Sequence, residues 1–294
     1  MDVIDTLEEL RVDGGAVRCV LTDSLESDLA REAVEALSLR VAPGRPRPRR
    51  PRALVDADQL DLVLVVFGED RESSLVEVLT TGHGLLVSAP PQGLEAIRPA
   101  LAKASSHPAG AEDSWSIVVL IALAVARRCE AVLDGIDDEC QELEARATGY
   151  TSAMRRRSMS RLRATLFHLQ DTQAAQQAML APEEELAQFL DPTELILLKR
   201  AVTAFDANRA TAARLYAMLG DLLSEQDTVV SERLTLVATI FMPLTLATGF
   251  FGMNFGWLTD HIGSAGSFLV LGLLVPTGLT VITLACVRRL TRSS

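Results

Sequence analysis

The chain has 294 residues, 48% of them hydrophobic, with 28 Lys and Arg against 39 Asp and Glu and a formal net charge of -11. Acidity beside that much hydrophobicity places the charge outside the long apolar segments and excludes a basic nucleic-acid-coating protein. The four cysteines (Cys19, Cys129, Cys140, Cys286) form no Cys-x-x-Cys pair. That excludes a clustered zinc site or a disulfide framework and fits a reducing compartment.

The opening residues, Met1-Asp2-Val3-Ile4-Asp5, have neither a basic stretch nor an apolar core, so no cleavable leader is expected. From 1 to 110 the pattern alternates short strands and helices. Runs rich in Val and Leu at Ala16–Leu21, Leu62–Phe67, Leu75–Leu79 and Leu85–Val87 predict strands. Ser27–Leu37 and Leu94–Lys103 predict helices, the second following the breaker Pro90-Pro91. A small α/β domain with a mixed sheet is expected. Between its elements lies Gly44-Arg45-Pro46-Arg47-Pro48-Arg49-Arg50-Pro51-Arg52. Without interleaved aromatic residues, this tract reads as a solvated loop rather than a nucleic-acid or anionic-lipid surface.

Residues 111–233 are expected to be helical. Ser116–Ala126 is apolar, but only about 13 uncharged residues separate Asp113 from Arg127, too few to cross a membrane, so a buried helix start is predicted. Asp137 to Glu144 reads as a solvated charged face rather than a cation-attracting surface. Gly149 punctuates, and Ser158–Leu180 forms a further helix closed by Pro182. From Thr193 no proline occurs until Pro243. Leu198, Phe205, Ala212 and Leu219 recur every seven residues, as do Ala201, Asn208, Leu215, Leu222 and Val229. This is the seam of a long helix packed on other helices, with Asn208 as a polar register-setter.

The periodic helix runs unbroken into residues 234–253, an uncharged apolar span with Pro243 inside it; 268–287 is a second. Small and hydroxyl residues (Thr235, Ala238, Thr245, Gly249) recur in the first at helical spacing, as on a face that meets a neighbour or a pore. The connector 254–267 has Asp260 and His261 but no Lys or Arg, whereas Arg288, Arg289 and Arg292 follow the second span in the tail 288–294. The positive-inside rule then puts both termini in the cytoplasm of a multi-pass protein of the cell membrane. Two spans per chain cannot enclose a water path, so several copies are required.

Leu234-Thr235, Ile240-Phe241-Met242-Pro243-Leu244-Thr245, Gly249 and Gly252-Met253-Asn254-Phe255 together resemble the first transmembrane helix and signature loop of CorA-type magnesium transporters. The resemblance implies an α+β membrane protein: an N-terminal cytoplasmic α/β domain, a long helical stalk and two C-terminal spans, assembled as a homopentamer in the bilayer. It implies a first span lining the pore through Thr228, Ser231, Leu234, Ala238, Met242, Thr245 and Gly249, with Gly252, Met253 and Asn254 as the signature. Asn254 would ring the mouth with amide oxygens and contact hydrated magnesium through its water shell, since magnesium sheds water reluctantly. Magnesium would be both cargo and regulator, and Asp191 and Glu194 are the regulatory candidates. The family commonly has asparagine where Thr228 stands and a bulky apolar residue where Ser231 stands, and an acidic residue closer to the signature than Asp260.

Magnesium uptake driven by the membrane potential is therefore expected. Cobalt, nickel or zinc transport is the alternative, although Met253 keeps the magnesium form of the signature and no His or Cys lines the proposed pore. A non-conducting membrane-anchored sensor or scaffold is the alternative from another class. The four histidines (His83, His107, His168, His261) fall in separate elements and no nucleophile motif or phosphate loop occurs, so no enzyme and no nucleic-acid partner is expected.

Overall fold

The computed structural model describes residues 3–4, 19–41, 48–81, 84–106, 114–145, 153–181, 189–252 and 264–291. The chain divides into two units, one formed by 1–146 with 153–220, the other by 147–152 with 221–294.

The first unit is built on a mixed six-stranded sheet. Its strands are β1 (Val3–Ile4), β2 (Cys19–Thr22), β3 (Arg52–Asp56), β4 (Gln59–Phe67), β5 (Ser73–Thr80) and β6 (Leu85–Ser88), in the order β1-β2-β6-β5-β4-β3. β1, β2 and β6 run parallel, and β6, β5, β4 and β3 are successively antiparallel. Successive side chains on a strand point to opposite faces, and the core divides accordingly. Cys19, Leu21, Leu85 and Val87 join one apolar cluster; Val20 and Leu86 join another.

Helix α1 (Asp28–Ala36), capped by Ser27 Oγ accepting the Ala30 N–H at 3.1 Å, covers the second cluster with Ala33. Gly84 packs closely there: a Cβ would lie 2.2 Å from Leu37 Cδ2, so any larger residue would have to displace that side chain. On the other face, Ile97 and Leu101 of α2 (Pro91–Ser106) and the start of α3 (Ser114–Ala145) fill the larger cluster. Pro91 opens α2 because a first-turn proline loses no helical hydrogen bond.

Ile117, Val118, Val119, Ile121, Ala122, Val125 and Ala126 are all buried, as expected of an apolar run too short to span a membrane. Downstream, the acidic face of α3 is partly paired: Asp137 meets Arg214 at 3.1 Å and Glu139 meets Arg71 at 2.6 Å. Helix α4 (Ala153–Leu180) begins five residues before the Ser158 start that periodicity suggests. It packs by Met159, Leu162, Leu166 and Leu169 and ends in a buried Leu180.

The arginine–proline tract differs from the expected loop at its last residue. Arg52 opens β3, pairing with Val63, and its guanidinium lies 3.1 Å from Asp61. Gly44–Arg47 lie outside the described residues. β3 is shorter than its partner, so Val65 has no pair across it, and Gln176 Oε1 of α4 accepts the Val65 N–H at 2.7 Å.

Helix α5 (Pro192–Gly252) is one 61-residue helix, with Pro243 inside it. α6 (Ala265–Phe268), a π-helical stretch (Leu269–Leu274) and α7 (Val275–Thr291) follow one another without a gap. The π-helical turn precedes Pro276, which has no N–H to give to an α-helical ladder.

Candidate functional site

Both α5 and the segment starting at Ala265 contain stretches long and apolar enough to cross a membrane, and neither stretch is buried by the rest of the chain. On α5, Leu234 is 66% and Met242 73% exposed, and Phe241 and Leu246 are exposed as well. A soluble protein does not present so many large apolar side chains on one rod.

The helix has two faces with different fates. Leu198, Ala201, Phe205, Ala212, Leu215, Leu219 and Leu222 are buried; Val229 is half-buried. The chain itself satisfies the upper part of this seam, since Leu198, Ala201 and Phe205 join the large cluster with α3. Asn208, 5% exposed, donates from Nδ2 to the Ala126 carbonyl of α3 at 2.8 Å. Its register-setting partner is thus a backbone oxygen of the same chain.

A second stripe of α5 is exposed throughout. Ile196, Thr203, Ala210, Ala217, Ser224 and Ser231 stand seven apart, interleaved with Arg200, Ala207, Arg214, Asp221 and Thr228. Most are small or hydroxylic, which lets another helix approach closely. The expected pore residues continue the exposed side: Thr228, Ser231, Leu234, Ala238, Met242, Thr245 and Gly249 all lie open in the single chain. A Cβ at Gly249 would meet nothing within 4 Å, so nothing in the chain's own packing demands glycine there.

Hydroxyl groups on this segment turn their protons inward. Thr228, Thr235, Thr239 and Thr245 donate to the carbonyls of Ser224, Ser231, Thr235 and Phe241 at 3.1, 2.9, 2.7 and 2.8 Å. Each is thereby tolerated in an apolar setting, and each keeps oxygen lone pairs directed away from its own helix. Pro243 cannot donate to the Thr239 carbonyl, so an α-helical oxygen is left without its amide. Gly252 closes α5, whereas Met253 and Asn254, with Asp260 and His261, lie outside the described residues.

The regulatory candidates occupy the opposite end of α5. Glu194 is 6% exposed and Asp191 exposed. Glu194 Oε2 accepts the Asp191 N–H at 2.9 Å, Asp191 Oδ1 accepts the Glu194 N–H at 2.7 Å, and Ser116 Oγ donates to Glu194 Oε1. Periodicity does not reveal this arrangement, but the spacing Asp191-x-x-Glu194 at a helix start does signal it. Among the described residues no group of three His, Cys, Asp or Glu side chains is placed to hold a metal ion.

A mixed α/β sheet unit, a long helix and two exposed apolar stretches long enough to cross a membrane define a membrane-protein class of fold, and sequence comparison narrows it. Residues 48–289 match the family described as CorA-like Mg2+ transporter protein, and the chain belongs to that family. This is a family of ion transporters, not of enzymes. YfjQ, a candidate metal ion transporter of Bacillus subtilis (strain 168), is 28% identical over 149 residues, 47% of this chain and 46% of its own. The match therefore spans about half the length of that curated relative. The complete structure of the CorA magnesium transporter from Methanocaldococcus jannaschii superposes with a TM-score of 0.62 at 16% identity, covering 91% of this chain and 88% of that one. The full-length CmaX protein gives a TM-score of 0.54 at 19% identity, over 84% and 79% of the respective chains. These likenesses establish the shared fold.

Proposed function

We propose that the protein is a homo-oligomeric channel-type carrier of divalent cations whose cargo is magnesium, with a pore formed between copies and lined by the open face of α5. The observation that carries this reading is the uninterrupted exposed stripe on α5. It passes from mostly small and hydroxylic residues between Thr203 and Ser231, with Arg214 and Asp221 among them, into the uncharged stretch with Ala238, Thr245 and Gly249. Glycine inside a helix costs roughly 1 kcal/mol relative to alanine, and the single chain gives Gly249 no compensating contact. A ring of copies supplies both the contact and an enclosed water path. Five copies, as in the resemblance drawn above, suit a path of this kind.

Leu234 and Met242 form apolar constrictions that close by dewetting, and Thr245 presents oxygens between them and the mouth. Asn254 offers amide oxygens to hydrated magnesium, whose first water shell stays on. With both termini in the cytoplasm of the cell membrane, a potential of 100 mV drives a divalent ion inward by about 4.6 kcal/mol. No other energy source is needed.

Flux into proteoliposomes of the full-length protein, measured in parallel for magnesium, cobalt, nickel and zinc, tests the assignment. Magnesium entry that grows with an inside-negative potential is expected. Entry of one of the other ions with magnesium excluded reassigns the cargo, and absence of all flux makes the protein a non-conducting sensor or scaffold.

A further inference from the structure

Three consecutive residues at the start of α3 each hold a different part of the fold. Ser114 Oγ lies 2.7 Å from Thr80 Oγ1 at the end of β5. Trp115 stacks on Phe189, with ring centroids 4.6 Å apart and planes inclined by 13°. Ser116 Oγ donates to Glu194 in the first turn of α5. Glu194 is the most occupied group of the set. One carboxylate oxygen serves Ser116 and the other closes the reciprocal cap with Asp191.

We infer that this is a clasp seating the long helix on α3, which Ser114 in turn ties to β5, with Glu194 as its buried pin, and that Glu194 is a positioning group rather than a ligand of regulatory magnesium. Magnesium demands near-octahedral oxygen ligation. A magnesium ion on Glu194 would compete with the Asp191 N–H and the Ser116 hydroxyl for carboxylate oxygens already engaged, at a part-buried position where weakened hydrogen bonds are costly. The clasp holds the first turn of the same helix that carries the proposed pore residues, so it fixes where that helix begins. The seat itself follows from these contacts alone; only its expected indifference to magnesium rests on the transport reading.

Glutamine keeps the shape of Glu194, with an oxygen to accept and an amide to donate, but removes the charge that a cation needs. Full-length Glu194→Gln, Glu194→Ala and Ser116→Ala proteins in detergent are compared by thermal melting and by protease protection over a magnesium titration. Glu194→Gln is expected to melt within about 2 °C of the wild type, and its half-protecting magnesium concentration to stay within about twofold. Glu194→Ala is expected to melt roughly 4 °C or more lower, as loss of a helix cap implies, with Ser116→Ala between the two. A tenfold shift in half-protecting magnesium for Glu194→Gln at unchanged melting makes Glu194 a cation ligand and overturns the inference. So does wild-type melting of Glu194→Ala. Protection indifferent to magnesium in the wild type rejects regulation by the ion, while the melting comparison still decides the clasp.

Discussion

Gln173 and Gln176 stand one turn apart on α4, fully buried, yet they face different consequences of replacement. Gln176 Oε1 accepts the Val65 N–H beyond the end of β3, whereas among the described residues Gln176 Nε2 and both amide atoms of Gln173 have no partner. Removing an orphaned buried amide relieves a desolvation penalty, and removing a bonded one creates such a penalty, each about 1–3 kcal/mol. Thermal melting should therefore show Gln173→Leu raised relative to the wild type, and Gln176→Leu, which also strands the Val65 N–H, below Gln173→Leu. The buried thiols give a pH signature of the same unit. Burial pushes Cys19 and Cys129 from 9.0 up to about 12. Between those values the unfolded chain releases thiol protons that the folded chain keeps. Stability is thus unaffected by them below pH 9 and falls above it, by roughly 1.4 kcal/mol per pH unit for each thiol. Melting at pH 8 and pH 10 should show a smaller alkaline loss in Cys19→Ala than in the wild type.

At the level of elements, periodicity exposes what has a single apolar face and hides what does not. The seven-residue repeat from Leu198 to Leu222 marks α5 because the chain does bury those side chains. It does not say against what, and the partner for the upper part proves to be α3 of the same chain. The exposed stripe through Ala210 and Ala217 is silent in sequence, since alanine reads equally well as surface or interface. β3 is masked by the arginines and prolines before it, and only its pairing with β4 makes Arg52 a strand residue. The π-helical turn before Pro276 has no sequence signal beyond the proline itself. Asp191 and Glu194 carry two readings: two carboxylates near the stalk suggest a cation, while their three-residue spacing at a helix start makes a reciprocal cap. If the exposed stripe packs on further copies, Ala210→Trp should dissociate the oligomer in native mass spectrometry without lowering the melting temperature of the α/β unit. An intact oligomer of unchanged mass would place the contact elsewhere.

For the whole molecule, family membership establishes the transporter class, and the shared fold and two exposed apolar stretches are in keeping with it. In the proposed function a pore forms between copies, with the α/β unit holding the start of each pore helix and an uncharged amide at each entrance. The most direct measurement is magnesium flux into proteoliposomes by wild-type protein and by Asn254→Ala protein of matched oligomeric mass. The account predicts potential-driven entry for the wild type and a loss of at least about tenfold for the variant, in line with removal of a positioned polar contact worth about 1.4 kcal/mol or more. Undiminished magnesium entry through an assembled Asn254→Ala protein would contradict it.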